Sequence, residues 1–244
     1  MKPVDRFSGR AGAYRAGRPS YPDAVLEALF AGLGDPQDVV AVDLGAGTGI
    51  SSRLLAAFGA RVYAVEPNAP MRAAAEPDAR VTFVDATAEA TGLVSAGADL
   101  VTAFQAFHWF DSPAALAEMR RLLRAGGRAA VIYNERDESD PVTRAYGDIV
   151  RRYATSDVEN QRARAPLDFA AFGGWRETRS LVFSNTQAMD RAKVIARAAS
   201  TSYLPSAGPA AAALHDALGS FIALHSIDGC VTMRLQTHVT IGEV

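Results

Sequence analysis

The sequence predicts an α/β fold in which a mostly parallel sheet carries helices on both faces. Between residues 39 and 133, short apolar segments with strand character alternate with helical segments. The strand segments lack a polar face, as expected for strands buried between two helical layers. Strict alternation places successive strands in parallel, each joined to the next by a helix that crosses over the sheet.

The first half of the chain supplies five strands and the helices that connect them. Pro22 opens a helix over residues 23–33. Ser112-Pro113 caps the last of the following helices, and Gly126-Gly127 is expected to end it. Strands are predicted at 39–44, 61–65, 81–84, 99–103 and 128–133, and helices at 50–58, 69–75 and 114–123.

The pattern changes after Tyr133, where polar helical segments replace the alternation. The last strand, 230–241, alternates apolar and polar residues, which is typical of an antiparallel element at a sheet edge. We therefore expect a seven-stranded mixed sheet, mostly parallel with the last strand antiparallel, and a small helical cap. The remaining predicted elements are helical 136–175, a strand at 180–186, and helices at 188–199 and 207–226.

The chain is expected to form one domain with three parts. Residues 1–22 are polar and rich in Arg, Gly, Tyr and Pro, and predict a short helix followed by an extended arm. Residues 23–135 form the α/β core. Residues 136–244 form the cap helices and the final strands, with 136–176 and 187–228 as the cap beside the site.

Composition excludes several classes of function. The 244 residues carry a formal net charge of −2, without the basic excess of a nucleic-acid binder. No apolar run reaches membrane-spanning length, and the first residues lack the apolar region of a signal peptide. The single cysteine excludes an intrachain disulfide and fits the cytoplasm. No histidines or cysteines have metal-ligand spacing, so no metal is expected; the oligomeric state stays open.

Residues 42–49, Val-Asp-Leu-Gly-Ala-Gly-Thr-Gly, lie where the first strand turns into a helix. Glycines there let the backbone take positive φ and pass close to a ligand, and the helix offers free amide hydrogens. The dinucleotide fingerprint is G-x-G-x-x-G. Here the third glycine comes one place early, and Ile50 stands at its expected position.

Three acids, Asp43, Glu66 and Asp85, fall at the carboxyl ends of three consecutive strands. Ligands of open α/β sheets bind at that edge, and a carboxylate in the position of Glu66 can accept hydrogen bonds from both ribose hydroxyls. A pyrophosphate beside Asp43 would meet unfavourable electrostatics. A nucleoside bearing a cationic sulfonium and an ammonium group would not.

With this loop and these acids, the chain resembles the class I S-adenosylmethionine-dependent methyltransferases, in particular the methyltransferase type 11 and trans-aconitate methyltransferase-like groups. The matching motifs are VDLGAGTG, AVEPNAPM, TFVDATAE and FQAFHWFD. The resemblance covers residues 1–135 well and the rest more weakly, through VTMRLQTHVTIG. It implies a Rossmann-like fold, S-adenosyl-L-methionine as cofactor and methyl transfer to a small molecule.

The resemblance also implies roles for individual residues. The turn would surround the methionine part of the cofactor. Glu66 would hold the ribose, and Pro67 and Met71 would flank the adenine, although Met71 can also be read as part of the helix core. The residues implied are Asp43, Gly45, Ala46, Gly47, Thr48 and Gly49 in the turn, Asp85 with Ala86 at the adenine amino group, Gln105 and Ala106 near the sulfonium, and Tyr14 and Arg18 in an arm that folds over the cofactor.

His108 follows the fourth strand and is the candidate catalytic residue. A general base is one reading, since the pKa of histidine lies near neutrality. The other is a histidine that hydrogen-bonds to the backbone and shapes the pocket. Trp109 and Phe110 are expected to pack rather than to form a cation cage.

The acceptor would attack through oxygen or carbon, and a carboxylate is one candidate. Arginines in 136–176 can attract such an anion or can form a solvated helical face. Two other functions stay open on sequence: a nucleotide-dependent oxidoreductase, and a protein that binds the cofactor without catalysis.

Overall fold

The computed structural model describes residues 18–155 and 158–244, without the side chains of residues 158–161. The predicted helix of the arm and Tyr14 lie outside the described residues. Pro22 is extended and precedes the first helix, and Asp residues cap several of the others, such as Asp140 with its carboxylate on the Thr143 amide. The helices are α1 Asp23–Phe30, α2 Ile50–Phe58, α3 Ala69–Ala73, α4 Ser112–Leu122, α5 Pro141–Tyr153, α6 Val158–Ala170, α7 Arg191–Ala199 and α8 Gly208–His225.

The seven strands form one sheet in the order β3-β2-β1-β4-β5-β7-β6. The first five are parallel to one another, and β7 runs antiparallel to both of its neighbours. This confirms the predicted mixed Rossmann-like sheet. The strands are β1 Val40–Leu44, β2 Arg61–Val65, β3 Val81–Val84, β4 Ala98–Phe104, β5 Leu123–Arg136, β6 Glu177–Met189 and β7 Val231–Glu243.

The expectation that the last strand lies at the sheet edge is wrong. β7 pairs with β5 on one side and with β6 on the other, so that β6 is the edge strand. The alternation of β7 arises because its polar side chains are only partly covered along its first half, whereas residues 239–242 are buried. An alternating pattern reports one open face, and it does not say whether both backbone edges are paired.

The junction between α4 and β5 also differs from the prediction. The helix ends at Leu122, and Leu123 is already extended and pairs with Ala98. Gly126, with φ 79°, lies inside β5 rather than at the helix end. The register between β4 and β5 shifts between Ala98 and Leu100, so the glycine pair accommodates a bulge.

Both faces of the sheet are buried at the central strands β1 and β4. On one face, Val42 and Leu44 of β1 pack in the cluster that contains Met119 of α4 and Phe169 of α6. On the other face, Ala41 packs with the buried residues of α1 and α2. A third cluster joins α5, α7 and α8 to the start of β7. Burial of alternate side chains on both faces explains why β1 and β4 read as continuous apolar segments.

Within the two described ranges, no helix is long and apolar enough to cross a membrane.

The contact of Gly242 with Trp175 yields a stability prediction. A Cβ on Gly242 would lie 2.5 Å from Cδ2 of the indole, whose Nε1 donates to the Phe169 carbonyl. Gly242→Ala must therefore displace a buried ring, and we expect it to lower the free energy of unfolding by about 1–3 kcal/mol in urea denaturation. Gly173→Ala, where a Cβ meets nothing within 4 Å, should be close to neutral. Equal stability of the two variants would contradict this packing.

Candidate active site

The turn after β1 takes a backbone conformation that requires glycine. Gly45, Gly47 and Gly49 have φ of 67°, 58° and 74°. A Cβ on Gly45 would lie 2.6 Å from Cβ of Ala106, and one on Gly47 would lie 3.2 Å from Cε of Met71. The amides of Gly45 and Ala46 both bond to the Val65 carbonyl at the end of β2. The turn is thus fixed to the neighbouring strand and open on its cavity side.

Asp43 anchors this turn from below. Its carboxylate is wholly buried and accepts the hydroxyls of Ser51 at 2.6 Å, Ser52 at 2.7 Å and Thr102 at 3.1 Å. Those residues belong to the first turn of α2 and to β4. Asp43 does not line the cavity described below, so the structure gives it a supporting position beneath the loop.

Burial makes the charge of Asp43 costly. Desolvation raises the pKa of this carboxyl to about 6, opposed by the three hydroxyl hydrogen bonds, and the negative charge of Glu66 adds a further increase. The site therefore keeps an acid whose ionisation the fold disfavours.

Glu66 joins the turn to the segment after β2. Its Oε2 accepts the amide of Gly47 at 2.9 Å, and its Oε1 accepts the amide of Asn68 at 2.8 Å. The residue is 9% exposed and lines the cavity. Desolvation raises the pKa of Glu66, and the two amide hydrogen bonds and the charge of Arg72 oppose that rise. Each carboxylate oxygen keeps lone pairs for a further donor.

A cavity of about 230 Å³ opens at the carboxyl edge of the sheet, where α/β folds bind their ligands. The end beside β1 and β2 is formed by the glycine turn, Glu66 and the first residues of α3. Of the predicted site residues, the cavity is lined by Arg18, Gly45, Gly47, Glu66, Pro67, Met71, Gln105, Ala106 and His108.

Other predicted residues lie elsewhere. Ala46 lines a smaller adjoining pocket, which also contains Arg18 and Gln105. Asp85 has a side chain that is 70% exposed and that pairs through both oxygens with Arg72. Arg72 in turn donates to the Glu66 carbonyl at 2.6 Å, so that Asp85 reaches the site through Arg72. The lining of neither pocket includes Asp43, Thr48, Gly49, Asp85 or Ala86, and their contacts with a cofactor stay predictions.

Gln105 occupies a strained position directly after β4. Its φ is 56°, which is uncommon for a residue other than glycine. Its amide donates to the Ile132 carbonyl at 2.8 Å, its side chain donates to the Asn134 carbonyl, and its Oε1 accepts Arg162 at 3.0 Å. These contacts hold the strained backbone and fix the Gln105 side chain between the sheet and the cap.

His108 lies on a short 3₁₀ turn, residues 107–109, and lines the cavity. Its Nδ1 is 3.2 Å from the hydroxyl of Tyr133, which also accepts the His108 amide at 3.1 Å. Burial, and then the charges of Arg162 and Arg18, lower the pKa of His108 to about 2. The imidazole is therefore neutral, and we assign its ring proton to Nε2, which lets the Tyr133 hydroxyl donate to Nδ1 while it accepts the His108 amide.

The sequence prediction missed much of the cavity lining. The sequence could have predicted Asn68 and the residues after Asp85 as lining residues, because they closely follow strand ends in motifs already recognised. The cap residues were not, since no motif marks them. The missed lining residues are Asn68, Thr87, Ala88, Glu89, Arg136, Tyr146, Val150, Arg197, Thr201, Ser202 and Tyr203.

Comparisons with known proteins identify the family. The model of the methyltransferase domain family matches residues 42–131. An uncharacterized methyltransferase of Mycobacterium tuberculosis is 37% identical over 166 residues, which are 67% of this chain and 65% of that protein. The chain belongs to the class I S-adenosylmethionine-dependent methyltransferases. The alignments with the mycobacterial relatives span just under two thirds of the length of those proteins.

Solved structures extend the likeness of this chain over the whole fold. A candidate type II methyltransferase of Anaeromyxobacter dehalogenans is 28% identical with a TM-score of 0.62, over 92% of this chain and 96% of that one. A phosphoethanolamine N-methyltransferase of Haemonchus contortus, solved with S-adenosylhomocysteine, shares the fold with a TM-score of 0.54. It is 18% identical over 97% of this chain and 57% of that one.

In the part of the chain that the structure describes, no group of three or more His, Cys, Asp or Glu residues could hold a metal ion.

The buried Asp43 carboxyl predicts a pH-dependent stability. Because its pKa is raised from 3.8 to about 6, the folded state binds the proton more tightly than the unfolded chain. Stability should therefore fall as the pH rises between these values. The free energy of unfolding of the wild type, relative to Asp43→Asn, should drop by up to ~3 kcal/mol from pH 4 to pH 7 in urea titrations. A difference between the two proteins that does not change with pH would contradict the raised pKa.

Proposed function

We propose that this protein transfers the methyl group of S-adenosyl-L-methionine to an oxygen or carbon atom of a small molecule. The observation that carries the proposal is the hydrogen bond between Glu66 and the glycine turn. A buried carboxylate bonds the amide of Gly47, and both face one cavity at the carboxyl edge of the sheet.

The residues at this end of the cavity fit the nucleoside. The free lone pairs of Glu66 suit two vicinal hydroxyls of a ribose. Pro67 and Met71 provide apolar surface on which a flat base can pack. A Cβ on Gly45 would clash with Ala106, so that only glycine fits there, and the polar backbone groups of the turn would contact the amino acid part of the cofactor.

The remaining residues align the acceptor. When bound, S-adenosylmethionine supplies an activated methyl group on a cationic sulfur. Gln105 and Ala106 lie between the turn and the cap, and their fixed backbone would define where the acceptor atom meets that methyl. Alignment and exclusion of water then provide most of the rate.

For His108 we propose a hydrogen-bond donor rather than a base. A histidine whose pKa is lowered to about 2 is too weak a base to take a proton from the methyl-accepting substrate near neutral pH. Its Nε2–H can instead orient an acceptor oxygen. An acceptor that is already anionic or enolic, or that loses its proton to water, needs no base in this cavity.

Removing the negative charge of Glu66 tests the cofactor site. Glu66→Gln should weaken the binding of S-adenosylhomocysteine by more than ~tenfold, because an amide cannot accept both ribose hydroxyls and both backbone amides. Titration calorimetry measures the affinity. Glu27→Gln, the same change on the exposed side of α1, is the matched control and should bind as the wild type does. Undiminished affinity of Glu66→Gln would remove the ribose role.

A pair of substitutions separates donor from base at His108. Gln can donate a hydrogen bond at a similar place, whereas Phe cannot. If His108 donates, His108→Gln should keep a substantial part of kcat, and His108→Phe should lose ~tenfold or more. The kcat/KM of the wild type should show no titration of His108 between pH 5 and 8. Equal losses in both variants, with a wild-type pH profile that bends near neutrality, would establish the base instead.

Turnover itself is measured with methyl-labelled cofactor and small-molecule cell extract, followed by mass detection of the methylated product. A label that reaches a small molecule separates an enzyme from a protein that only binds the cofactor. Tight NAD binding without S-adenosylhomocysteine binding would instead indicate the oxidoreductase.

A further inference from the structure

The two ends of the cavity differ sharply in charge. Among its described lining residues, the acids are Glu66, directly after β2, and Glu89, which lies between β3 and β4 in sequence and accepts the Asp111 amide. The four lining arginines are Arg18, Arg136, Arg162 and Arg197. They come from the segment before α1, the end of β5, α6 and α7. Because β1 and β4 separate β2 from β5, the backbone at Glu66, after β2, and the backbone at Arg136, at the end of β5, are about three strand spacings apart, or ~14 Å.

The described residues leave part of the hydrogen-bonding capacity of Arg162 and the charge of Arg197 unmatched. Arg162 bonds Glu135 at 2.8 Å through Nη2, but its buried Nε has no partner among the described atoms. Arg136 pairs with Glu138, which it shares with Arg151. For Arg197 the described residues offer no carboxylate within ion-pair distance, and its Nη1 donates instead to the neutral side chain of Gln187 at 2.6 Å.

Such a cluster costs free energy in the empty protein. Burial, followed by the charges of Arg18, Arg136 and Arg162, lowers the pKa of Arg197 to about 10. Four guanidinium groups that converge on one cavity repel one another, and an anion bound there would offset that repulsion. Tyr146, Tyr203 and Trp109 line the same end and offer aromatic surface and hydroxyl groups.

We infer that this end of the cavity binds an anionic group of the methyl acceptor, with Arg197 as its principal contact. The anion serves as the anchor. A carboxylate or phosphate held by several guanidinium groups is a poor nucleophile, so that the methylated atom is a different one, nearer Gln105 and His108. This inference rests on the proposed function in one respect, that the bound anion is part of the methyl acceptor. Anion binding at this site can be tested without turnover.

Three probes with one ring isolate the charge. Benzoate, phenyl phosphate and benzamide share a phenyl group and differ in their anionic or neutral head. Each is titrated calorimetrically into the wild-type protein, with and without saturating S-adenosylhomocysteine. We expect at least one anion to bind saturably and benzamide to bind ~tenfold more weakly or not at all. The preferred anion identifies a carboxylate-bearing or a phosphate-bearing acceptor.

Variants on one helix locate the site. Arg197→Gln should weaken the bound anion by ~tenfold or more, and Arg197→Lys should restore part of the affinity. Arg191→Gln, on the exposed start of α7, is the matched control and should leave the affinity unchanged. Because Arg197 is repelled by its neighbours, Arg197→Gln should unfold in urea at the same denaturant concentration as the wild type or higher.

Several results would overturn the inference. In the wild type, these are benzamide that binds as tightly as both anions, or no binding of either anion. In Arg197→Gln, they are an anion affinity equal to that of the wild type, or a loss of stability that marks a structural role. Failure of the proposed function looks different. In that case S-adenosylhomocysteine gives no heat, while the anion titrations still decide on the arginine site.

Discussion

The geometry of the site depends on one buried carboxylate, that of Asp43. Three hydroxyl groups converge on it, two from the first turn of α2 and one from β4. Through them, the strand before the glycine turn, the helix after it and the neighbouring strand keep a fixed relation. The turn can then be rich in glycine, because its position is set from beneath rather than by its own packing.

Above this anchor, Glu66 combines a structural role with a proposed binding role. Its oxygens hold the turn and the segment before α3, and the same carboxylate faces the cavity. A group already fixed by two backbone amides loses little conformational entropy when a ligand binds, which is the usual advantage of a preorganised site. The raised pKa of both acids shows that the site is kept at some cost in stability.

The charge distribution of the cavity fits the proposed division of labour. Acids lie on the side where a cationic sulfonium cofactor would bind, and arginines lie on the side that the cap contributes. Arg162, on the cap helix α6, joins the two parts, because it bonds Gln105 and Glu135 of the core. Changes in the cap helices can thus alter the acceptor end while the cofactor end stays intact.

The sequence by itself determined the fold class, the strand segments and several residues that line the cavity beside β1 and β2. Strands buried on both faces leave a local apolar signal, and a turn that needs positive φ leaves glycines. Glu66, Pro67 and His108 could be placed on the cavity because each directly follows a strand whose end was predicted. Only the tertiary structure decided that β7 lies inside the sheet, that Asp43 supports the turn from below and that Asp85 pairs with Arg72. It alone brought Arg18, Arg136, Arg162 and Arg197 together, since they are distant in sequence and each alone resembles a solvated arginine. The physical reason is that backbone conformation is encoded locally, whereas the convergence of side chains on a cavity depends on how separate elements pack.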